Sequence, residues 1–294
     1  MSESIDLHIH SDKSSDGDFS PVSIVNLAGE KGLCAISITD HDTVAAYPET
    51  LDAGQKMGLE VIPGIELTTL YTDREFHLLL YFVDWEEGIL KSLIKEVADR
   101  RFIEAKKRVD KLQKLGFSIV WEDVLQEAGG YPPLGVTLAN VLLKRAEKKA
   151  DPRLAKYLDD ANKMYAPYLF YRDYFADGRP ASVPRQNVAL EEVLQLAPKT
   201  GGVPVLAHPG APFERATEED LQALKSFGLQ GLEVYTSYHD DSMADHYKKL
   251  ASELDLVPTA GSDFHGRIKP QVPFGVVKNG EYWMVEELRK RRGL

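Results

Sequence analysis

Ile5-Asp6-Leu7-His8-Ile9-His10 places an apolar residue at every second position, the period of a β-strand. Residues two apart on a strand point to the same face, so His8 and His10 can reach one ion. The same polar types recur further along, at or just past the ends of short apolar runs. They appear in Thr39-Asp40-His41-Asp42, Pro63-Gly64-Ile65-Glu66, Phe76-His77, Leu206-Ala207-His208-Pro209 and Gly261-Ser262-Asp263-Phe264-His265. A lone His-x-His is weak evidence. Six histidines of the chain's 8 in such places, with Glu66 and Asp263 beside them, form a metal-site pattern.

Outward from the first strand, strand-type runs cover 5–9, 35–39, 59–63, 75–82, 203–207, 231–235 and 257–260. Between most of them lie helical patterns that stop at glycine: 21–28 before Lys31-Gly32, 47–57 before Gly58, and 221–227 before Gly228. Strand, helix and glycine in this order mark parallel βα units, so the sequence predicts an α/β fold with a closed or nearly closed seven-stranded β/α barrel. No G-x-G-x-x-G turn follows the first strand, which speaks against an open dinucleotide-binding sheet. Between 89 and 179 the alternation stops. A helical stripe (Ile89, Leu90, Leu93, Ile94, Val97, then Val109, Leu112, Leu115) ends at Gly116, and a Pro132-Pro133 break and an aromatic-rich stretch follow. Residues 89–179 therefore read as a mainly helical inserted domain capping the active site of a barrel built from 1–88 and 180–294.

The chain has 294 residues, 43% of them hydrophobic, enough for a full core. It lacks an apolar run of about eighteen residues, so no helical membrane span is expected. The first strand begins almost at once, which leaves no room for a leader peptide. The single cysteine, Cys34, excludes an internal disulfide framework, reads as a buried core thiol, and fits a cytoplasmic location. A net charge of −11 argues against broad coating of nucleic acid. That charge is uneven: residues 86–180 carry 18 Lys/Arg against 15 Asp/Glu, and the remainder 17 against 31. A phosphorylated substrate then needs metal ions or a local basic patch.

In a β/α barrel the strand C-termini and following loops share one face, where groups from distant parts of the chain converge. Imidazole and carboxylate together suit Zn, Mn or Fe, and the lack of thiolates argues against a structural zinc finger. Six histidines with Glu66, Asp263 and Asp16 suffice for two or three divalent ions, which points to phosphoryl transfer.

These motifs, with Asp6-Leu7-His8-Ile9-His10-Ser11 and Ser15-Asp16-Gly17, resemble the PHP (polymerase and histidinol phosphatase) superfamily of metal-dependent phosphoesterases over residues 5–82 and about 175–275. The resemblance is to its nucleotide-directed branch, which carries a helical insert. It implies a distorted seven-stranded barrel and a trinuclear centre. His8, His10, Glu66 and Asp263 would hold the first ion. Glu66 would bridge to a second, completed by His77 and His208, and Asp16, His41 and His265 would hold the third. A carboxylate bridge at Glu66 offsets repulsion between cations and favours a shared hydroxide of lowered pKa.

The implied activity is hydrolysis, by metal-bound hydroxide, of a phosphomonoester of a small nucleotide-like substrate such as a nucleoside mono- or 3′,5′-bisphosphate. The alternatives are a 5′-to-3′ exonuclease on short RNA, a phosphatase of the histidinol-phosphate type, and a non-catalytic binding module, whose mark would be lost ligands. All nine ligand positions hold a competent residue. No membrane and no obligate protein partner are inferred. Asp40 and Asp42 flank His41 and either orient ligands or cap the next helix; Asp40 is placed among the catalytic candidates with Glu66. His239, after the sixth strand, is a candidate phosphate contact or proton donor, whereas His246 reads as a surface helix residue. Relatives in this branch commonly carry an Arg-Pro-His-Ile-Ala run in the insert. The corresponding stretch is Gly135-Val136-Thr137-Leu138-Ala139, without the arginine and histidine, so Arg179 and Arg185, near the return to the barrel, are the substrate-binding candidates.

Overall fold

The computed structural model describes residues 3–14, 16–212, 215–275 and 277–292. Two compact units emerge: Met1–Lys95 with Val188–Leu294, and Glu96–Asn187.

The strands of the first unit are β1 (Ile5–Ile9), β2 (Ala35–Ile38), β3 (Glu60–Val61), β4 (Gly64–Tyr71), β5 (Arg74–Tyr81), β6 (Val188–Ala189), β7 (Val203–Leu206), β8 (Gly231–Thr236) and β9 (Val257–Gly261). They form two sheets, β1-β2-β3 and β6-β4-β5-β7-β8-β9, instead of one closed seven-stranded barrel. The first sheet is parallel throughout. In the second, β5 runs antiparallel to both β4 and β7. The sheets are joined by isolated bridges, Ile9 with Phe264 and His41 with Glu66. At the first of these the His10 N–H donates to Phe264 O at 2.9 Å and the Asp263 N–H to His8 O at 2.8 Å.

The departure from a parallel barrel originates at Thr72-Asp73. Both take positive φ, 48° and 64°, the requirement at the two central residues of a tight type I′ hairpin turn. That turn is usually signalled by Asn-Gly or Asp-Gly, and a β-branched residue at positive φ is uncommon. The sequence therefore hides the hairpin. Residues 64–71, which lie outside the strand-type runs expected from the sequence, are an eight-residue strand, and Glu66 lies within it.

Strand periodicity does the sorting in β1. Ile5 and Leu7 enter an apolar cluster with Leu79, Tyr81, Val205, Ala260 and Met284. Ile9 enters another with Ile24, Val25, Ile36 and Phe264. Asp6 and His8, and His10 just beyond the strand, are equally buried, at 0% exposure. Burying a Leu or Ile side chain gains about 1.5–3 kcal/mol, whereas a buried ionisable group costs free energy unless it is paired. The polar set must find partners. Helix ends follow the sequence: Gly58 and Gly228 close their helices at φ 68° and 116°. Cys34 is part-exposed at the edge of the first cluster rather than a core thiol, with its Sγ on Ser4 O.

The second unit is helical. It takes in most of Gly88–Lys114, then Trp121–Ala128, Gly135–Lys148, Ala155–Leu158 and Ala166–Tyr174. Its own core includes Leu112, Phe117, Leu138, Leu142, Tyr157, Phe170 and Phe175. The limits are 96 and 187 where 89 and 179 were expected, because the helix from Gly88 is continuous across the boundary and the return begins at β6. Among the described residues, no helix is long and apolar enough to cross a membrane.

Candidate metal centre

All nine residues expected as ligands lie in the first unit, and they converge. β1 brings His8 and then His10; the loop after it brings Asp16. The end of β2 delivers His41, β4 Glu66, β5 His77, the end of β7 His208, and the end of β9 Asp263 and His265. Ser15 of the Ser-Asp-Gly motif lies outside the described residues. Gly17 has room for no side chain: a Cβ there would stand 2.1 Å from Ser11 O.

Glu66 is the hub. Its Oε2 lies 3.2 Å from His8 Nε2, 3.1 Å from His10 Nε2 and 3.2 Å from His41 Nδ1. Its Oε1 lies 2.9 Å from His77 Nδ1 and 3.2 Å from His208 Nε2. Asp263 Oδ1 closes a four-residue group with His8 and His10, at 3.4 and 3.1 Å. Asp16 Oδ2 lies 3.3 Å from His41 Nε2 and 3.4 Å from His265 Nε2. Among the described residues three candidate groups result: His8-His10-Glu66-Asp263, His10-Asp16-His41-His265, and His41-Glu66-His77. They reproduce the first expected ligand set. The third set gains His10. In the second, His41 stands with His77 and Glu66, and His208 joins them through Nε2, 3.2 Å from Glu66 Oε1.

The donor set fits divalent cations. Donors about 2.0–2.2 Å from one ion are separated from each other by roughly 3.0–3.5 Å, the spacing found around Glu66 and Asp263. His8 and His10 direct their Nε2 atoms at each other across 3.2 Å. Glu66 Oε2, fully buried among three imidazoles, accepts no hydrogen bond of good geometry, a costly state that a cation relieves.

The electrostatics agree. Burial opposes ionisation of Glu66, yet His41, His8 and His77 outweigh it and hold the carboxyl well below its ordinary range. Burial is likewise overcome at Asp263, by Lys269 and His265, and at Asp16, by His41 and His265. Burial also works against charge on His10, but Asp263 and Glu66 push it up to about 9. His8 is raised for the same reason, with Glu233 foremost among its acidic partners. His41 is pushed down to about 3, chiefly by burial.

Around the donors stand residues that hold them. Glu233, in β8 and fully buried, meets His8 Nδ1 at 2.9 Å through Oε1 and accepts the His208 backbone N–H at 2.8 Å through Oε2. One carboxylate so fixes a ligand ring from β1 and the backbone of a ligand after β7, the arrangement that orients imidazoles toward metals. A glutamate inside the apolar run Gly231–Thr236 was the available signal, and the sequence reading passed over it. Asp6 Oδ1 accepts the N–H groups of Ser262 at 2.9 Å and His8 at 3.3 Å. Asp40 accepts from Ser11 N and Oγ, both at 2.6 Å, and so pins the residue after His10. Asp42 caps no helix: it accepts the Thr68 N–H at 3.0 Å. Asp18, the near neighbour of Asp16, is tied to Arg267 Nε at 2.5 Å. Asp42, His208 and Asp263 take positive φ, a strain of order 1–3 kcal/mol each that clusters at functional sites.

One expectation changes. His239 makes contact through both ring nitrogens, Nδ1 at 2.8 Å from Val234 O and Nε2 accepting the Gly210 N–H at 3.0 Å. It therefore anchors the turn after His208 and has no nitrogen left to donate a proton to a substrate. Arg179 and Arg185 both belong to the second unit, Arg179 exposed and Arg185 3.3 Å from Asp177. Gly135 opens a helix where a Cβ would meet the Tyr171 ring at 2.5 Å, so an arginine cannot be accommodated there without repacking.

Comparison with known proteins gives a consistent picture. The PHP domain profile matches residues 6–167. The chain is 26% identical to the 5′-3′ exoribonuclease Rnm of Salmonella typhimurium over 88% of its own length and 84% of that protein. It is 24% identical to a 3′,5′-nucleoside bisphosphate phosphatase of Chromobacterium violaceum, over 89% and 87%. It is 28% identical to a phosphoribosyl 1,2-cyclic phosphate 1,2-diphosphodiesterase of Eggerthella lenta, over 92% and 98%. A solved structure from Bifidobacterium adolescentis, assigned as a metal-dependent phosphoesterase, superposes with a TM-score of 0.78 at 27% identity, covering 99% of this chain and 97% of that one.

Proposed function

The chain belongs to the PHP domain family and is a metal-dependent phosphoric ester hydrolase; we propose that its substrate is a small nucleotide-like phosphomonoester, a nucleoside mono- or 3′,5′-bisphosphate. The observation that carries this reading is the convergence of His8, His10, Glu66 and Asp263 with His41, His77, His208, Asp16 and His265 around one buried carboxylate. In this reading those nine residues would hold two or three ions of Mn, Fe or Zn. Bound ions supply Lewis acidity toward a phosphoryl oxygen and activation of water at neutral pH. The chain supplies the rest. Glu233 fixes the His8 ring, Asp40 fixes Ser11 beside His10, and His239 fixes the turn at Gly210.

Selectivity is assigned to the helical unit, since a phosphate-hydrolysing centre is generic and fold alone does not set substrate. In this reading Arg179 and Arg185 are the substrate contacts. A second reading, trimming of short RNA from its 5′ end, is favoured by the relationship to the exoribonuclease and by the excess of Lys/Arg in 86–180. A reducing cytoplasm is the compartment that fits both.

The test is metal analysis of purified protein, followed by phosphate release across nucleoside mono- and bisphosphates, sugar phosphates and 5′-phosphorylated RNA oligonucleotides. Turnover of a nucleotide well above the oligonucleotide supports the first reading; the reverse order replaces it with the second. Charge reversal at Arg179 and Arg185 should affect a nucleotide more than a small generic phosphate ester. Equal effects, or none, would take substrate choice away from the helical unit.

A further inference from the structure

One cation is built into this centre that the nine donors do not account for. The 3₁₀ turn Gly266–Ile268, directly after His265, carries the chain to Lys269. The Lys269 ammonium forms an ion pair with Asp263 Oδ2 and donates to the Tyr238 hydroxyl. It also lies 4.7 Å from the centroid of the Tyr238 ring, and that ring's centroid is 5.2 Å from the centroid of His208. Its neighbour Arg267 is different: 85% exposed and paired with Asp18.

Asp263 divides its two oxygens. Oδ1 faces His8 and His10, and Oδ2 faces Lys269. The ammonium therefore stands one carboxylate away from the ligand cluster, held in place by the same residue that would hold an ion. An ammonium has three N–H donors. Among the described residues two of them have partners, which leaves one for an incoming anion, and the side chain is 23% exposed, so the anion can reach it.

Building on the phosphoesterase reading, we propose that Lys269, braced by Tyr238, seats the terminal oxygens of the substrate phosphate and makes the centre prefer a phosphomonoester dianion to a phosphodiester monoanion. The Coulomb attraction to a fixed positive charge scales with the charge of the anion. A monoester also offers a terminal oxygen that a diester has lost to its second ester bond. The relatives act on both kinds of ester, so this discrimination has to come from the surroundings of the ions.

The test uses full-length, metal-loaded protein with Lys269→Met, Lys269→Arg and Tyr238→Phe. Four quantities are measured: metal content, binding of inorganic phosphate by calorimetry, and KM for p-nitrophenyl phosphate and for bis-p-nitrophenyl phosphate. A hydrogen bond from a charged group is worth roughly a factor of ten or more. Lys269→Met should weaken inorganic phosphate and raise the monoester KM by about that much, change the diester KM far less, and leave metal content unchanged. Lys269→Arg should recover most of the loss, and Tyr238→Phe should produce a smaller loss in the same direction. Unchanged phosphate binding in Lys269→Met, or equal losses on both esters, would overturn the proposal. Loss of metal in Lys269→Met without rescue by Lys269→Arg would also overturn it and make the lysine a counter-ion of Asp263. If the wild-type protein hydrolyses neither ester, the phosphoesterase reading falls; the calorimetric arm still decides whether Lys269 binds phosphate.

Discussion

Glu66 touches five imidazoles through two oxygens. Glu66→Gln keeps its shape and removes its charge. Metal content and phosphatase activity should fall together, activity by roughly 100-fold or more, since charge stabilisation by bound cations is worth several kcal/mol; retained metal with full activity would refute the bridging role. Glu233 acts one step further out, so Glu233→Gln should spare most activity at saturating metal yet weaken metal affinity by about 10–100-fold, read by chelator competition. His239→Ala separates structure from ligation. It strips the Gly210 N–H of its acceptor, which should cost about 1–3 kcal/mol of stability, while metal content stays at the wild-type level. Loss of an ion would reassign His239. The gathering of these nine side chains was legible in the sequence because the motifs that carry the family resemblance are local. Glu233, Asp6 and Lys269 were not, because each is defined by a partner far away in the chain: Glu233 by His8, Asp6 by Ser262, Lys269 by Tyr238.

At the scale of elements, the seam between β1 and β9 decides whether the centre forms. The strands approach closely at Gly261, where a Cβ would fall 2.1 Å from the His8 Cβ and 2.5 Å from Glu233 Oε1. Gly261→Ala should therefore disturb His8 and Glu233 together. It is expected to lower the thermal midpoint and metal content in parallel, by a mechanism unlike that of Glu233→Gln, which leaves the strands in place; a variant with normal metal content would show that the seam can open without cost. The hairpin β4-β5 illustrates the opposite case for sequence reading. β5 is visible as an apolar run, but β4 is absent from the strand-type runs, because Thr72-Asp73 is not one of the usual hairpin dipeptides and Gly64-Ile65-Glu66 follows directly on the run 59–63. Pairing of Thr68 with His77 across this hairpin sets where His77 stands relative to Glu66.

At the scale of the molecule, protons and metal ions compete for one cluster. The pKa of His10 is raised from 6.5 to about 9 by acidic neighbours that outweigh burial. An ion must displace that proton, so metal affinity should tighten as pH rises from 6 toward 9 and level off above it. In the metal-stripped protein the sign is reversed. A histidine with a raised folded pKa contributes stability that is fully present below about 6.5 and lost as pH passes through about 9. His41, pushed down to about 3 by burial, acts on the acid side: the unfolded chain takes up its proton first, so stability falls as pH drops below 6.5. Thermal midpoints of stripped and metal-loaded protein from pH 5 to 9 test both branches. A stripped form with no decline toward pH 9 would refute the raised histidines.

The sequence by itself determined the α/β class, the helical character of the segment from about residue 89, and the residues that gather at one site. These rest on periodicity, glycine stops and donor chemistry, all carried within a few residues. Tertiary structure alone decided that the strands form two sheets with an antiparallel hairpin, since a two-residue turn at positive φ reverses the chain without a sequence signal. It alone decided that His239 is an anchor, that His10 stands within reach of two ligand groups, and that Gly135 leaves no room for an arginine beside Tyr171. Each of those depends on which atoms from distant segments occupy the same few ångströms, and spacing along the chain does not encode that.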